Sequence, residues 1–116
     1  MRTIFYLKTC STCQRILTQL PSNHELQLRE IKSEPISKQE IEKMAELTGS
    51  YESLFSRRAL KYKSMGLKDK SLSEDDYKAL ILDEYTFLKR PVAILDDQIF
   101  VGNSKKNVAN LVEALS

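Results

Sequence analysis

Cysteine, histidine, glycine and proline are all scarce: two cysteines, one histidine, three glycines and three prolines in 116 residues. Each scarcity excludes something. With only His24 to join Cys10 and Cys13, a four-ligand zinc site within the chain would have to recruit carboxylates, so no metal is expected. Glycines and prolines this few leave no flexible linker, and each marks an element boundary, so one domain is expected over residues 1–116. Charge of one sign is lacking too. Eighteen Lys and Arg against sixteen Asp and Glu leave a net charge of +2, too small for the many phosphate contacts of a dedicated nucleic-acid binder. No apolar run approaches the roughly 20 residues that span a bilayer, and Lys8 and Cys10 arrive before a signal-peptide core could develop. Neither direct nucleic-acid binding nor a membrane partner is expected, and the chain is read as cytoplasmic.

What is present is a patterned globular chain, 41% hydrophobic and 29% charged. Thr3 to Tyr6 predicts a strand, followed by Lys8-Thr9 and the cysteines. Ser11 or Thr12 is placed to cap a helix whose Ile16, Leu17 and Leu20 share a face before Pro21 stops it. Leu26, Leu28 and Ile31 then alternate with polar residues as a second strand, parallel to the first through a helical crossover. Ser37-Lys38-Gln39-Glu40 is a capping box for a helix carrying Ile41, Met44, Ala45 and Leu47 and closed by Gly49. Tyr51 to Phe55 and Ala59 to Met65 read as short helices. Ser73-Glu74-Asp75-Asp76 opens a further helix with Tyr77, Leu80, Ile81 and Tyr85 on one face. Strands Val92 to Leu95 and Gln98 to Val101, joined by Asp96-Asp97, form a hairpin before a last helix carrying Val108, Leu111, Val112 and Leu115.

The order β-α-β, a long helical stretch, then β-β-α predicts an α/β, thioredoxin-like four-stranded mixed sheet with a helical insertion of about sixty residues, roughly 32–90. The dithiol falls where the first strand meets the first helix.

Three readings of Cys10-Ser11-Thr12-Cys13 compete: half of a zinc site, two small buried hydrophobes, and a redox pair. The missing further ligands weigh against the first. The polar company of Lys8, Thr9, Ser11, Thr12 and Gln14 weighs against the second. For the third, an ordinary thiol is only ~3% thiolate at pH 7, and the partial positive charge at a helix N-terminus lowers its pKa. Cys10 stands at that terminus and Cys13 one turn inside it. Cys10 is therefore expected to attack and Cys13 to resolve the mixed disulfide.

Arg90 precedes the only proline adjoining a strand in the second half, and an Xaa-Pro bond at such a strand start is a candidate cis bond. A cis Pro91 would set Arg90 beside the dithiol, there to stabilise a thiolate or bind an anion. Arg57 and Arg58 lie between two predicted helices. His24, the lysines at 61, 63, 68 and 70, and the five tyrosines read as surface residues and core edges.

Tyr6-Leu7-Lys8-Thr9-Cys10-Ser11-Thr12-Cys13, Lys32-Ser33-Glu34-Pro35-Ile36-Ser37, Ser56-Arg57-Arg58 with Tyr62 and Gly66-Leu67, and Leu88-Lys89-Arg90-Pro91-Val92 with Val101-Gly102 resemble the ArsC/Spx family of thioredoxin-like proteins. The resemblance runs through nearly the whole chain. It implies that Cys10 occupies the catalytic cysteine of the glutaredoxin-coupled arsenate reductases, that Pro91 is the family's cis-proline, and that Arg90 matches an arginine near that cysteine. It further implies a substrate- or anion-binding role for Arg57 or Arg58, with Ser11 and Thr12 at the same site.

Three departures stand out. Cys13 replaces the reductases' serine, Tyr6 stands where some carry histidine, and Gly102 falls where a third arginine would hold the oxyanion. An arsenate pocket with one arginine fewer loses a charge-assisted contact of about 1.5–3 kcal/mol. The first expectation is an ArsC-type thiol–disulfide oxidoreductase, nominally arsenate reductase-like, without bound cofactor and with glutathione, glutaredoxin or another thiol donor. The alternative is an Spx-like redox-switched regulator that uses the first helix and the residues around Gly49-Ser50 to bind the C-terminal domain of the RNA polymerase α-subunit.

Overall fold

The apolar run at the start of the chain forms the strand β1 (Arg2–Tyr6), in which Thr3, Ile4 and Phe5 are all buried. Burial of successive residues means both faces of this strand are covered. The computed structural model describes all residues, 1–116, and places β1 inside a four-stranded sheet with β2 (Gln27–Glu30), β3 (Val92–Leu95) and β4 (Gln98–Val101) in the order β2-β1-β3-β4. β1 runs parallel to β2, with Ile4 opposite Leu28, and antiparallel to β3, with Ile4 opposite Ala93. β3 and β4 are the expected hairpin. Its turn sets Asp96 at φ +60, a left-handed conformation that Asp tolerates, and the Asp96 N–H donates to Met1 O at 2.7 Å. The mixed α/β sheet read from the sequence is therefore the architecture found.

The chain separates into two compact units, Met1–Glu34 with Arg90–Ser116, and Pro35–Lys89. The first holds the sheet, α1 (Ser11–Gln19) and α5 (Lys105–Leu115). Ile4, Leu20, Leu26, Ala93, Leu95 and Leu111 form one buried cluster, with Leu17, Phe100, Val112 and Leu115 packed against it. The helix-face residues of α1 and α5 thus meet the Ile4 face of the sheet. One strand expectation is corrected. Leu28 does not share the burial of Leu26: it is 49% exposed, because β2 is an edge strand and its outer flank has no neighbour.

The second unit contains α2 (Lys38–Thr48), α3 (Leu60–Ser64) and α4 (Glu74–Asp83). Both capping boxes form. Ser37 accepts from the Glu40 N–H while Glu40 accepts from the Ser37 N–H, and Ser73 and Asp76 repeat the exchange. Gly49 ends α2 at φ +96, which only glycine adopts cheaply. The helix expected at Tyr51 to Phe55 is a single 3-10 turn, Glu52–Leu54, and Tyr85 leaves α4 for another, Tyr85–Phe87. The turn is held from elsewhere in the unit: Glu74 accepts the Tyr51 and Glu52 N–H groups at 2.6 and 3.1 Å, and Phe55 leaves the turn to bridge Leu88. Phe55 is the hub of this unit, stacked on Phe87 at 5.0 Å, tilted against Tyr77 at 5.0 Å and edge-on to Tyr62 at 5.9 Å. No helix of either unit is long and apolar enough to cross a membrane.

Candidate functional site

The cysteine loop is built by a tight turn between β1 and α1. The Cys10 N–H donates to Leu7 O at 3.1 Å, which leaves Cys10 extended at φ −89, ψ 111, and its own carbonyl accepts the first helical bond from the Gln14 N–H at 3.1 Å. Cys10 is consequently the N-cap residue. The expected Ser11 or Thr12 cap is corrected: both residues lie inside the first turn, Ser11 exposed and Thr12 half-buried, and no side-chain oxygen caps the helix. A thiol therefore occupies the position that Ser, Thr, Asp or Asn usually fills, at the positive end of the helix dipole.

Cys10 is half-buried and Cys13 fully buried, and both are free thiols. Their surroundings displace them in opposite directions. Burial pushes the Cys10 thiol up, but the Cys13 N–H, the Cys13 thiol and the charge and hydrogen bond of Arg90 outweigh it, so Cys10 is held below its ordinary value. Burial is also the largest influence on Cys13, and there the Cys10 sulfur adds to it. The Cys13 thiol is pushed up to about 11. The helix turn that gives Cys10 its N–H donor is the same turn that carries Cys13 into the core.

Arg90 enters from the opposite end of the chain, just ahead of β3, across a cis Arg90–Pro91 bond. Pro91 is buried, and its carbonyl accepts the Gly102 N–H at 2.8 Å. Gly102, at the position expected to lack a third arginine, has φ +92, and the Asn107 amide donates to its carbonyl at 2.8 Å. An arginine there would take on a left-handed backbone that side chains rarely adopt.

Cys10, Cys13 and Arg90 come together within the first unit. Arg57 and Arg58 belong to the second and are exposed there. Arg57 Nη2 donates to Glu52 at 2.8 Å and to the Tyr77 hydroxyl at 3.0 Å, and its guanidinium lies 5.8 Å from the Tyr77 ring centroid. No three His, Cys, Asp or Glu side chains gather where a metal ion could be held. His24 turns inward to its own loop, where Nδ1 accepts the Leu26 N–H at 2.8 Å.

Sequence reasoning passed over Glu30. Its Oε2 accepts the Lys8 N–H at 2.9 Å, and its Oε1 accepts the N–H groups of Lys32 and Ser33 at 3.0 and 2.7 Å. Gln14 Nε2 donates to Lys8 O at 2.8 Å. A glutamate closing a strand looks like any solvated charge in one dimension, and only the pairing of β2 with β1 sets it against the cysteine loop.

A sequence model of the ArsC family matches residues 5–111. The chain belongs to the ArsC family. Within known proteins it is 26% identical, over 110 residues, to the global transcriptional regulator Spx 1 of Bacillus cereus and of Bacillus anthracis, covering 93% of this chain and 84% of theirs. Among solved structures, the YFFB (PA3664) protein superposes with a TM-score of 0.82 at 19% identity over 100% of both chains. The arsenate reductase from Vibrio cholerae gives 0.78 at 20% identity, over 94% of this chain and 95% of that one. At these identities the two structures establish the shared ArsC fold.

Proposed function

We propose that this ArsC-family protein is a thiol–disulfide oxidoreductase in which Cys10 is the attacking thiol and Cys13 the resolving one. The observation that carries the reading is the opposite displacement of the two thiols, Cys10 downward at the N-cap and Cys13 up to about 11 one turn inside. In the first step the Cys10 thiolate attacks a substrate disulfide; a Cys10–substrate disulfide forms, the substrate's own S–S bond breaks, and one substrate sulfur leaves as thiolate. Cys10 then carries no charge. The influence of its thiolate that raised Cys13 is gone and the Arg90 charge that lowers Cys13 remains, while burial, the largest influence, still holds Cys13 up. Cys13 loses its proton to solvent and attacks the Cys10 sulfur, forming the Cys10–Cys13 disulfide and releasing the second substrate thiolate. Two electrons from glutathione, with glutaredoxin as the carrier, restore the dithiol, and two glutathione thiols end as one disulfide.

Arg90 holds the thiolate, and Ser11 and Thr12 are the proposed contacts for substrate. Arsenate is the family's nominal substrate, but Gly102 removes one charge-assisted contact of about 1.5–3 kcal/mol, which favours a disulfide. The purified protein should turn over a small disulfide with glutathione and glutaredoxin. Cys10→Ser should abolish turnover, and Cys13→Ser should trap the mixed disulfide on Cys10. No turnover of disulfide or arsenate with any thiol donor, while the internal disulfide forms reversibly, overturns the enzyme reading.

A second reading is favoured by the likeness to Spx 1 and by the paired cysteines. In it the Cys10–Cys13 disulfide is a redox switch that governs attachment to RNA polymerase, at the C-terminal domain of its α-subunit. Its test is retention of that domain by oxidised and reduced protein. Failure in both states removes it.

A further inference from the structure

We propose that Glu30 and Gln14 are positioning residues for Cys10, acting as a two-sided clamp on the Lys8 peptide groups in the loop that carries it. Glu30 reaches from the end of β2 and takes the Lys8 N–H, and Gln14 reaches back from α1 and supplies a donor to the Lys8 carbonyl. Neither contact is made by the loop to itself. The clamp is anchored at both ends. Glu30 also accepts the Lys32 and Ser33 N–H groups, so its carboxylate is fixed at the β2 exit, and the Gln14 backbone N–H donates to the Cys10 carbonyl. Gln14 therefore sets Lys8 and Cys10 relative to the same helix turn.

A charged acceptor with three N–H donors makes stronger bonds than neutral pairs would. Those donors hold the Glu30 carboxylate below its usual range, so the clamp is charged at neutral pH. Glu30 is not among the groups that shift Cys10, and the clamp works by geometry. Hydrogen bonds to a thiolate weaken steeply when the sulfur moves off axis. A loop free to drift by even part of an ångström would misalign the sulfur with the Cys13 N–H and with Arg90. The inference rests on Cys10 being the attacking thiol.

The test is the rate of Cys10 alkylation by iodoacetamide against pH in the full chain, read at the Cys10 peptide by mass spectrometry. Gln14→Met keeps side-chain length and removes the donor; Glu30→Ala removes the acceptor; Glu30→Gln leaves one acceptor oxygen. Gln14→Met and Glu30→Ala should each move the alkylation midpoint up toward the ordinary thiol value, with a loss of thiolate below the midpoint, and Glu30→Gln should fall between Glu30→Ala and wild type. If Glu30→Ala fails to fold, Gln14→Met decides alone. A lowered midpoint in wild type that stays unchanged in folded Gln14→Met overturns the clamp and leaves the nucleophile reading standing. A wild-type midpoint at the ordinary thiol value overturns both.

Discussion

The Arg90 charge acts on the Cys10 thiol and favours its thiolate, so the residue leading into β3 bears on the thiol at the N-cap of α1. β1 and β3 are neighbours in the sheet, and the turn after one meets the turn before the other. Replacing Arg90 by Ala should raise the Cys10 pKa. At a half-exposed sulfur, solvent reduces the contact to about 1 kcal/mol, so alkylation of Cys10 near neutral pH should slow roughly fivefold. Arg90→Lys should recover part of this, since the charge returns without the forked donor. An unchanged rate in Arg90→Ala would show that the helix N-terminus alone tunes the thiol.

The two cysteines make opposite contributions to stability against pH. Cys10 is held below its ordinary value, so its contribution is present above the unfolded thiol pKa and is lost as pH falls through the folded one. Cys13 is raised to about 11, so its contribution is present below the unfolded value and is lost as pH rises toward 11. In urea titrations of reduced protein, wild type should therefore lose more stability between about pH 8.5 and 10.5 than Cys13→Ala does. Parallel decline of the two proteins would mean Cys13 is not shifted.

Two leucines separate burial from hydrophobicity. Leu111, 1% exposed in the cluster around Ile4, should cost about 2–5 kcal/mol when cut to Ala, whereas Leu28, 49% exposed on the edge strand, should cost under about 1 kcal/mol. Equilibrium unfolding of both variants checks the ordering.

Caps provide a third comparison. Ser37 and Ser73 each anchor a reciprocal capping box, while Ser104 only accepts from the Asn107 N–H at 3.1 Å. Ser37→Ala and Ser73→Ala should each destabilise by about 1 kcal/mol, within 0.5–2 kcal/mol, and Ser104→Ala by no more than either. The readout is the urea midpoint at constant slope.

Much of the short-range chemistry was legible in the one-dimensional pattern. The capping boxes at Ser37 and Ser73, the Gly49 stop, the Asp96-Asp97 hairpin and the β-α-β…β-β-α order depend on residues a few positions apart, and all were legible. The cap of α1 was not. Ser11 and Thr12 are better cap residues than cysteine by local preference, yet the Leu7–Cys10 turn hands the position to Cys10. The 3-10 turn at Glu52–Leu54 escaped for a different reason: Glu74, distant in the chain, accepts the Tyr51 and Glu52 N–H groups at its start.

By itself the sequence determined that two cysteines, three residues apart, meet at a strand-to-helix junction in an ArsC-like plan, because spacing and periodicity are local properties of the chain. The place of Cys10 at the helix N-terminus also marked it as the thiol to be held low; only the tertiary structure decided how far burial pushes Cys13 up and which distant group supports the Cys10 thiolate. That difference comes from burial, from the Cys13 N–H at the helix turn, and from Arg90 brought in ahead of β3. A thiol's pKa is set by whatever lies within a few ångströms of the sulfur, and of the groups acting on these two, Arg90 is the one brought from a distant part of the chain.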